Sequence, residues 1–349
     1  MTKVTGPEPD SGSSGDGRPN TRGVPPPMQS TSVQVSSRMT WMDSFRGMAM
    51  LMVVVFHSVA LYKGLSGHDH VPVVDEIVGF FDPYRMPLLL LLSGLLLHRA
   101  LAKPLGTYLA GKARKILWPL ILWSVINFVV IGNVAGMLDP GAWIDGTYQW
   151  FLVVLMACFL VAPLTLWIPS WLMALVFVAI LVAVGTREPE LRQIFFFGPF
   201  FFLGAALSRW LPRIQSAPVW AAGIVGLVGI AVGFGSATDV LVVARSIPWT
   251  VVLPVPGLLA LIWLGSRLPR LAFFERVGQH SIVYYVVHTS VLIVLADLWR
   301  AGDWGTPWPR SSCYSSSGSV SRPSSRDIGT GSADCSNSPP SVELRSPEA

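Results

Sequence analysis

The chain has 349 residues, of which 52% are apolar and 13% are charged, and its formal net charge is +5. Soluble globular domains carry about 25% charged residues, so this composition excludes a water-soluble multi-domain enzyme, a disordered chain and a nucleic-acid-binding module. The basic residues form short clusters between long apolar runs, which is typical of the loops between membrane-spanning helices. The sequence therefore predicts an all-α, polytopic transmembrane helical bundle.

The two ends of the chain differ from its apolar middle. Residues 1–38 are rich in Gly, Pro, Ser and Thr, which predicts a disordered cytoplasmic segment. The segment lacks the short apolar region and cleavage site of a signal peptide, so none is predicted. Residues 39–300 form the predicted membrane domain, and the Ser-rich residues 301–349 are also expected to be disordered. Val, Leu and Ile codons that end in TC become Ser codons when they are read one base late. We therefore hypothesise a frameshift near residues 301–311 that replaced a last helix; a genuine disordered tail is the alternative.

Nine apolar runs meet or approach the length of about 20 residues that a helix needs to cross a bilayer. They lie at about 41–62, 77–97, 116–138, 148–168, 171–185, 194–207, 219–236, 248–265 and 280–299. Continuous apolar runs exclude the alternating strands of a membrane barrel. With a cytoplasmic N-terminus, the inner segments hold eleven Lys and Arg and the outer loops hold four. The positive-inside rule then predicts a multi-pass plasma-membrane protein in that orientation.

Ionisable residues inside a membrane span are functional candidates by default. In the first span, His57 follows Arg46 by 11 residues, which is about 16 Å along a helix and about 20° from three full turns, so the two share one face. Gly47 allows close approach of another helix or of a ligand. The alternatives are that Arg46 snorkels to the cytoplasmic edge and that His57 makes an ordinary hydrogen bond between helices.

Further polar residues lie near the cytoplasmic ends of the second and third spans. Ser93 and Gly94 are typical of a packing notch between helices. Lys112, Arg114 and Lys115 either carry ordinary positive-inside charge or clamp the phosphates of a cytoplasmic ligand.

The last span places Tyr284 four residues before His288, so the two are neighbours on a helix. Taken alone, they indicate an interfacial tyrosine and a polar helix contact. The loop run His68-Asp69-His70 lacks a second ligand motif, and no metal site is predicted there.

Taken together, these segments resemble the acyltransferase 3 family of integral-membrane O-acyltransferases. The resemblance covers about residues 40–299 and rests on four ordered motifs: Asp43-x-x-Arg46-Gly47 with ten residues between Arg46 and His57, Met86-Pro87-Leu88 before Ser93-Gly94, basic residues before Pro119, and Gly278-x-x-Ser281-x-x-x-Tyr285-x-x-His288. It implies a bundle of commonly ten spans, of which about nine are visible here. It also implies transfer of an acyl group, taken as acetyl, from cytoplasmic acyl-CoA to a hydroxyl of an envelope glycan or glycolipid at the lipid bilayer.

The resemblance also implies roles for individual residues. His57 takes the place of the catalytic histidine and Arg46 that of its partner, while Lys112 and Lys115 fall where the family has an Arg-x-x-Arg pair. Lysine cannot make a bidentate guanidinium contact, so this is a departure that the nearby Arg114 has to offset. The supporting residues implied are Asp43, Gly47, Ser93, Gly94, Ser281, Tyr285 and His288.

For the chemistry, we predict that His57 is the general base that takes the proton of the acceptor hydroxyl, with an acyl-histidine intermediate as the alternative. Arg46 would stabilise the thioester oxygen or bind a CoA phosphate, and Lys112, Arg114 and Lys115 would hold the nucleotide end of CoA. Two other functions are open. One is a transporter without covalent chemistry, although no internal repeat is visible, and the other is an inactive truncated remnant.

Overall fold

The computed structural model describes residues 39–66, 70–139, 141–143, 149–184, 189–243 and 247–301, and every regular element in these ranges is helical. Their α-helices are α1 (Thr40–Ser66), α2 (Val74–Leu95), α3 (Leu97–Leu101), α4 (Leu105–Lys112), α5 (Trp118–Ile131), α6 (Trp150–Leu164), α7 (Ser170–Val184), α8 (Pro189–Leu207), α9 (Leu211–Gln215), α10 (Val219–Ala237), α11 (Val255–Gly265), α12 (Ala272–Gln279) and α13 (Ser281–Ala301). The predicted all-α bundle is confirmed. The segment 1–38 and the hypothesised altered tail lie outside the described residues, except that α13 ends at Ala301.

Six helical segments in the described part of the chain are long and apolar enough to cross a membrane: Thr40–Ser66, Leu105–Ile131, Leu191–Gln215, Val219–Ala237, Pro248–Gly265 and Ser281–Trp299. Two shorter apolar helices are Trp150–Leu164 and Ser170–Ala183. Each of the nine predicted runs coincides with a helix, but six rather than nine have the length and composition of a full span. The chain is a multi-pass membrane protein.

The third predicted span, 116–138, ends earlier than its apolar pattern indicated. The helix stops at Ile131 because Gly132 adopts a left-handed φ of 78°, and the Asn133 N–H then bonds the carbonyl oxygen of Phe128. Glycine adopts this conformation without steric cost, which is why it ends helices so often. The apolar residues beyond it, Val134–Leu138, form a 3-10 turn instead.

The same span begins earlier than predicted and contains an irregular turn. α4 and α5 are joined by a π-helical turn at Ala113–Leu117. Pro119 has no N–H to donate, and in a regular helix its ring would collide with the carbonyl of Lys115, four residues back. The wider turn absorbs this conflict and shifts the helical phase of the basic residues relative to α5.

α2 lies at the centre of the bundle and packs against α1, α8, α10 and α11. Its run Leu88–Leu92 is fully buried, and the phenylalanines of α8 pack against it in one apolar core. Polar groups on α2 are therefore enclosed by neighbouring helices.

Glycine pairs bring neighbouring helices into backbone contact. A Cβ atom on Gly47 would overlap the carbonyl oxygen of Phe274, and one on Gly278 would overlap that of Asp43, so α1 and α12 meet closely. Gly94 on α2 has the same relationship to the Phe201 carbonyl on α8. Gly47 was expected to lie close to either another helix or a ligand, and the structure places the helix α12 there. α12 was not predicted at all, because its eight residues are too short and too polar to form an apolar run.

α1 is tied to α2 near both of its ends. Near its start, Arg46 bonds the Leu92 carbonyl, and at its C-terminal end, Lys63 Nζ lies 2.8 Å from Asp75 Oδ2. The other end of the bundle, where α1 begins, carries Arg99, Arg209 and Arg267, and we call it the basic face. This arrangement fixes the depth of every polar side chain along α1.

Candidate functional site

Arg46 is held between α1 and α2, close to the basic face. Its Nη2 donates to the carbonyl oxygen of Leu92 at 3.1 Å, and its Nη1 lies 3.4 Å from Asp43 Oδ1. Asp43 is buried, and only 19% of the Arg46 side chain is exposed. Arg46 therefore points into the bundle rather than along its surface, unlike the snorkelling alternative.

Lys112 also points into the bundle. Its Nζ lies 3.3 Å from the ring centroid of Phe159 on α6, and the Tyr108 hydroxyl fixes α4 against α6 by donating to the Phe159 carbonyl at 2.8 Å. The charges of Lys115, Lys103 and Arg46 act on Lys112. We call these four cations the basic cluster, and their excess positive charge suits phosphate oxygens. Arg114 and Lys115 are both exposed on the π-helical turn, and Lys103 is exposed before α4, so of the predicted basic residues only Lys112 points inward.

A cavity of about 700 Å³ opens near the basic face, and its lining contains none of the four cations of the basic cluster. Its lining includes Leu95, His98, Arg99, Ala162, Trp167, Trp171 and Arg209. Ala162 follows Phe159 by three residues, which places the cavity about one helical turn closer to the basic face than Lys112. Within the described residues, neither arginine of the lining has an acidic side chain within 4.0 Å, since the ion pairs found there involve other cations.

His57 lies deeper in the bundle, three turns along α1 from Arg46. Its Nδ1 is 2.9 Å from the carbonyl oxygen of Val53. A carbonyl only accepts hydrogen bonds, so in the neutral ring Nδ1 carries the hydrogen and Nε2 has the lone pair. In this tautomer Nε2 is the nitrogen that can take a proton.

His288 on α13 is the neighbour of His57. The ring centroids are 4.9 Å apart, with an interplanar angle of 65°. His288 Nδ1 lies 2.6 Å from the Tyr285 carbonyl, and its Nε2 lies 3.3 Å from Thr289 Oγ1. By the same reasoning, Nδ1 donates to the carbonyl and the Thr289 hydroxyl donates to Nε2. The lone pair of His288 already accepts this bond, so His288 is less suited than His57 to take a proton. Its ring contact with His57 suits it to positioning that residue.

Tyr285 connects this pair of histidines to the start of α6. Its ring centroid is 5.7 Å from that of His288, and its hydroxyl accepts a hydrogen bond from the Phe151 N–H at 3.2 Å. The adjacent Gln149 side chain donates to the Val286 carbonyl at 3.3 Å. The start of α6 therefore lies inside the bundle against α13. Tyr284 is exposed.

The remaining residues implied by the resemblance lie in the scaffold. The Ser93 hydroxyl donates to the Leu89 carbonyl of its own helix at 2.8 Å, Gly94 packs on α8, and Ser281 is the half-buried first residue of α13. Most of the His68–His70 run lies outside the described residues. Within them, no group of three or more His, Cys, Asp and Glu side chains could hold a metal ion.

Sequence reasoning missed Arg85 on α2. Its guanidinium lies 3.8 Å from the ring centroid of Phe56, its Nη2 is 2.5 Å from Asp82 Oδ1, and its charge acts on His57. Only 12% of the Arg85 side chain is exposed. The available signal was a charged pair at i and i+3 inside an apolar run.

Comparison with known proteins identifies the family. Residues 39–317 match the sequence profile of a family described as an acyltransferase domain, which is most of the chain and contains every residue of the site. The chain belongs to the acyltransferase 3 family. Membership establishes acyl transfer at a membrane as the general activity, and it confirms the resemblance in the ordered motifs. No curated protein and no solved structure matches the chain.

In this acyltransferase, the polar groups lie at two depths. Nearer the basic face are Arg46, Lys112 and the cavity, and deeper in the bundle are His57, His288 and Arg85. α1 and α2 contribute to both levels, since Arg46 bonds α2 directly and Arg85 of α2 stacks on Phe56 of α1.

Proposed function

We propose that this acyltransferase moves an acyl group, taken as acetyl, from cytoplasmic acyl-CoA to a hydroxyl of an envelope carbohydrate or glycolipid. The separation of Arg46 from His57 by 11 residues supports this most strongly, because it amounts to about 16 Å along α1. CoA has phosphates at one end and its thioester at the other, joined by a pantetheine arm of comparable length. Cations therefore serve one end of the donor while the imidazole serves the other.

The basic cluster and the cavity suit the nucleotide end of CoA. Arg46 and Lys112 offer charged donors for phosphate oxygens, and the cavity adds Arg99, Arg209 and two tryptophans, whose rings can stack on adenine. Its volume of about 700 Å³ falls within the range of small-molecule sites, about 300–1,000 Å³. The excess of Lys and Arg at the basic face favours a cytoplasmic location for it in the plasma membrane, where acyl-CoA is available.

The depth of His57 supports a role for it in the chemical steps. Nε2 of His57 takes the proton of the acceptor hydroxyl, whose oxygen attacks the thioester carbonyl. The carbon–sulfur bond of the tetrahedral intermediate then breaks, and the departing CoA thiolate receives from His57 the proton that came from the hydroxyl. Because Arg46 lies three turns away, it binds phosphate in this scheme rather than the thioester oxygen. In the acyl-histidine alternative, Nε2 attacks the carbonyl and the CoA thiolate leaves; the acceptor hydroxyl then takes the acyl group from Nε2, and its proton goes to the thiolate.

Mass spectrometry of envelope glycans from cells with and without the gene tests the proposed function. We expect an added acyl mass on a glycan or glycolipid that disappears when the gene is deleted, which identifies both the group and the acceptor. Membranes containing the full chain should also transfer label from radiolabelled acetyl-CoA to the same acceptor. Identical glycan masses, with label that accumulates unbound in membrane vesicles, would instead favour the transporter. Absence of both transfer and uptake would indicate the inactive remnant.

A further inference from the structure

Acyl transfer develops negative charge on the carbonyl oxygen, and an enzyme gains most by placing a donor or cation at that oxygen. In the proposed function this oxygen lies beside the His57 imidazole, because the acceptor hydroxyl must reach both Nε2 and the carbonyl carbon. Arg46 lies about 16 Å farther along α1 and is already bonded to the Leu92 carbonyl. A different group is needed at the depth of His57.

Arg85 approaches that depth through its side chain, which lies over Phe56, the residue before His57. Leu92, the contact of Arg46, follows Arg85 by seven residues, so Arg85 is about 10 Å deeper along α2 than that contact. Its guanidinium covers the ring of Phe56 with 3.8 Å to the centroid, and the Phe56 ring centroid is 5.1 Å from that of His57. The guanidinium is therefore separated from the half-buried imidazole by the Phe56 ring alone.

The ion pair with Asp82 explains how a guanidinium can be kept at this depth. An isolated cation inside a membrane is costly, and pairing reduces that cost. Asp82 Oδ1 takes one nitrogen of Arg85, at 2.5 Å, while a guanidinium has five N–H donors in a planar fork. The pair therefore orients the planar fork beside Phe56.

We propose that Arg85 is a catalytic residue of the transfer reaction, whose guanidinium donates to the thioester carbonyl oxygen as it becomes an oxyanion. This rests on the proposed function, since it requires the thioester to lie beside His57. The carbonyl oxygen gains charge when the acceptor oxygen attacks and loses it when the thiolate leaves. Arg85 keeps its own protons throughout, and His57 carries the transferred proton.

Three variants of the full chain test this in membranes supplied with radiolabelled acetyl-CoA. Arg85→Gln should lower the transfer rate at saturating acetyl-CoA by about 100-fold or more, the usual effect of removing one oxyanion donor, while KM for acetyl-CoA changes little. Such a loss in kcat alone marks an interaction made in the transition state. Arg85→Lys should retain part of the rate because it keeps the charge.

Asp82→Asn is the matched comparison, since it removes the partner that orients the guanidinium but leaves its charge. We expect it to lose a smaller part of the transfer rate than Arg85→Gln, and thermal unfolding shows that each variant is folded at the assay temperature. Parent-like transfer by Arg85→Gln would overturn the inference, as would equal losses for Arg85→Gln and Asp82→Asn, which would show a structural ion pair. Absence of transfer by the parent chain itself would instead refute the proposed function.

Discussion

The imidazole rings of His57 and His288 meet edge to face with 4.9 Å between their centroids. They come from α1 and α13, the first and last long helices of the described chain. Each Nδ1 lies beside a backbone carbonyl of its own helix, four residues back for His57 and three for His288. Both rings are therefore held in fixed tautomers, and the site forms only when the two ends of the membrane domain pack together.

Arg46→Gln should weaken the binding of donors that carry phosphate groups. We expect a higher KM for acetyl-CoA, because the variant loses a charged partner for phosphate, and an unchanged rate with acetyl-pantetheine, which has no phosphate. Steady-state transfer with both donors measures this. Arg267→Gln is the control, since this exposed arginine on the basic face stacks on Trp263. An equal effect of Arg46→Gln on both donors would contradict phosphate binding.

Gly278→Ala should destabilise the bundle. Its Cβ would overlap the Asp43 carbonyl oxygen on α1, and forcing extra atoms into a packed contact costs about 1–3 kcal/mol. Thermal unfolding in detergent should show a lower Tm. Gly223→Ala on α10 is the matched control, because a Cβ there meets no atom within 4 Å. Equal Tm values for the two variants would refute the close contact between α1 and α12.

Tyr285→Phe should destabilise the contact between α6 and α13. It leaves the Phe151 N–H without its acceptor, and an unsatisfied buried donor costs about 1–3 kcal/mol. Tyr284→Phe, at the exposed neighbouring position, should have little effect. Both variants lose one hydroxyl group, so a difference between their Tm values reports the burial of the Tyr285 hydroxyl. If Tyr284→Phe were the more damaging variant, the described packing of α13 would be wrong.

Most of the fold could be predicted because apolar length alone determines where helices can span a bilayer. The predicted helix bounds were wrong where a single glycine or proline determines the local backbone conformation. Gly132 ends α5 in spite of the apolar residues that follow, and Pro119 forces a π-helical turn. α12 was not predicted because its eight residues are too short and too polar to form an apolar run, and its contact with α1 through Gly278 joins distant segments.

The candidate site could be predicted only in part. The spacing of Arg46 and His57 fixes their separation along one helix, whatever else the chain does. Contacts between distant segments were not accessible, such as His57 with His288 and the hydrogen bond from Ser290 to Asn127. Arg85 was overlooked because its significance depends on α2 lying beside α1 at the depth of His57.

Transfer of label from radiolabelled acetyl-CoA by His57→Gln, compared with the parent chain and with His288→Gln, tests the assignment of the base most directly. Glutamine is similar in size to histidine but cannot take a proton, so His57→Gln should lose about 100-fold or more of the transfer rate. His288→Gln, which removes a positioning residue, should retain a measurable part. Folding is checked by unchanged thermal unfolding. If a folded His57→Gln variant transferred label at the parent rate, His57 would not be the base.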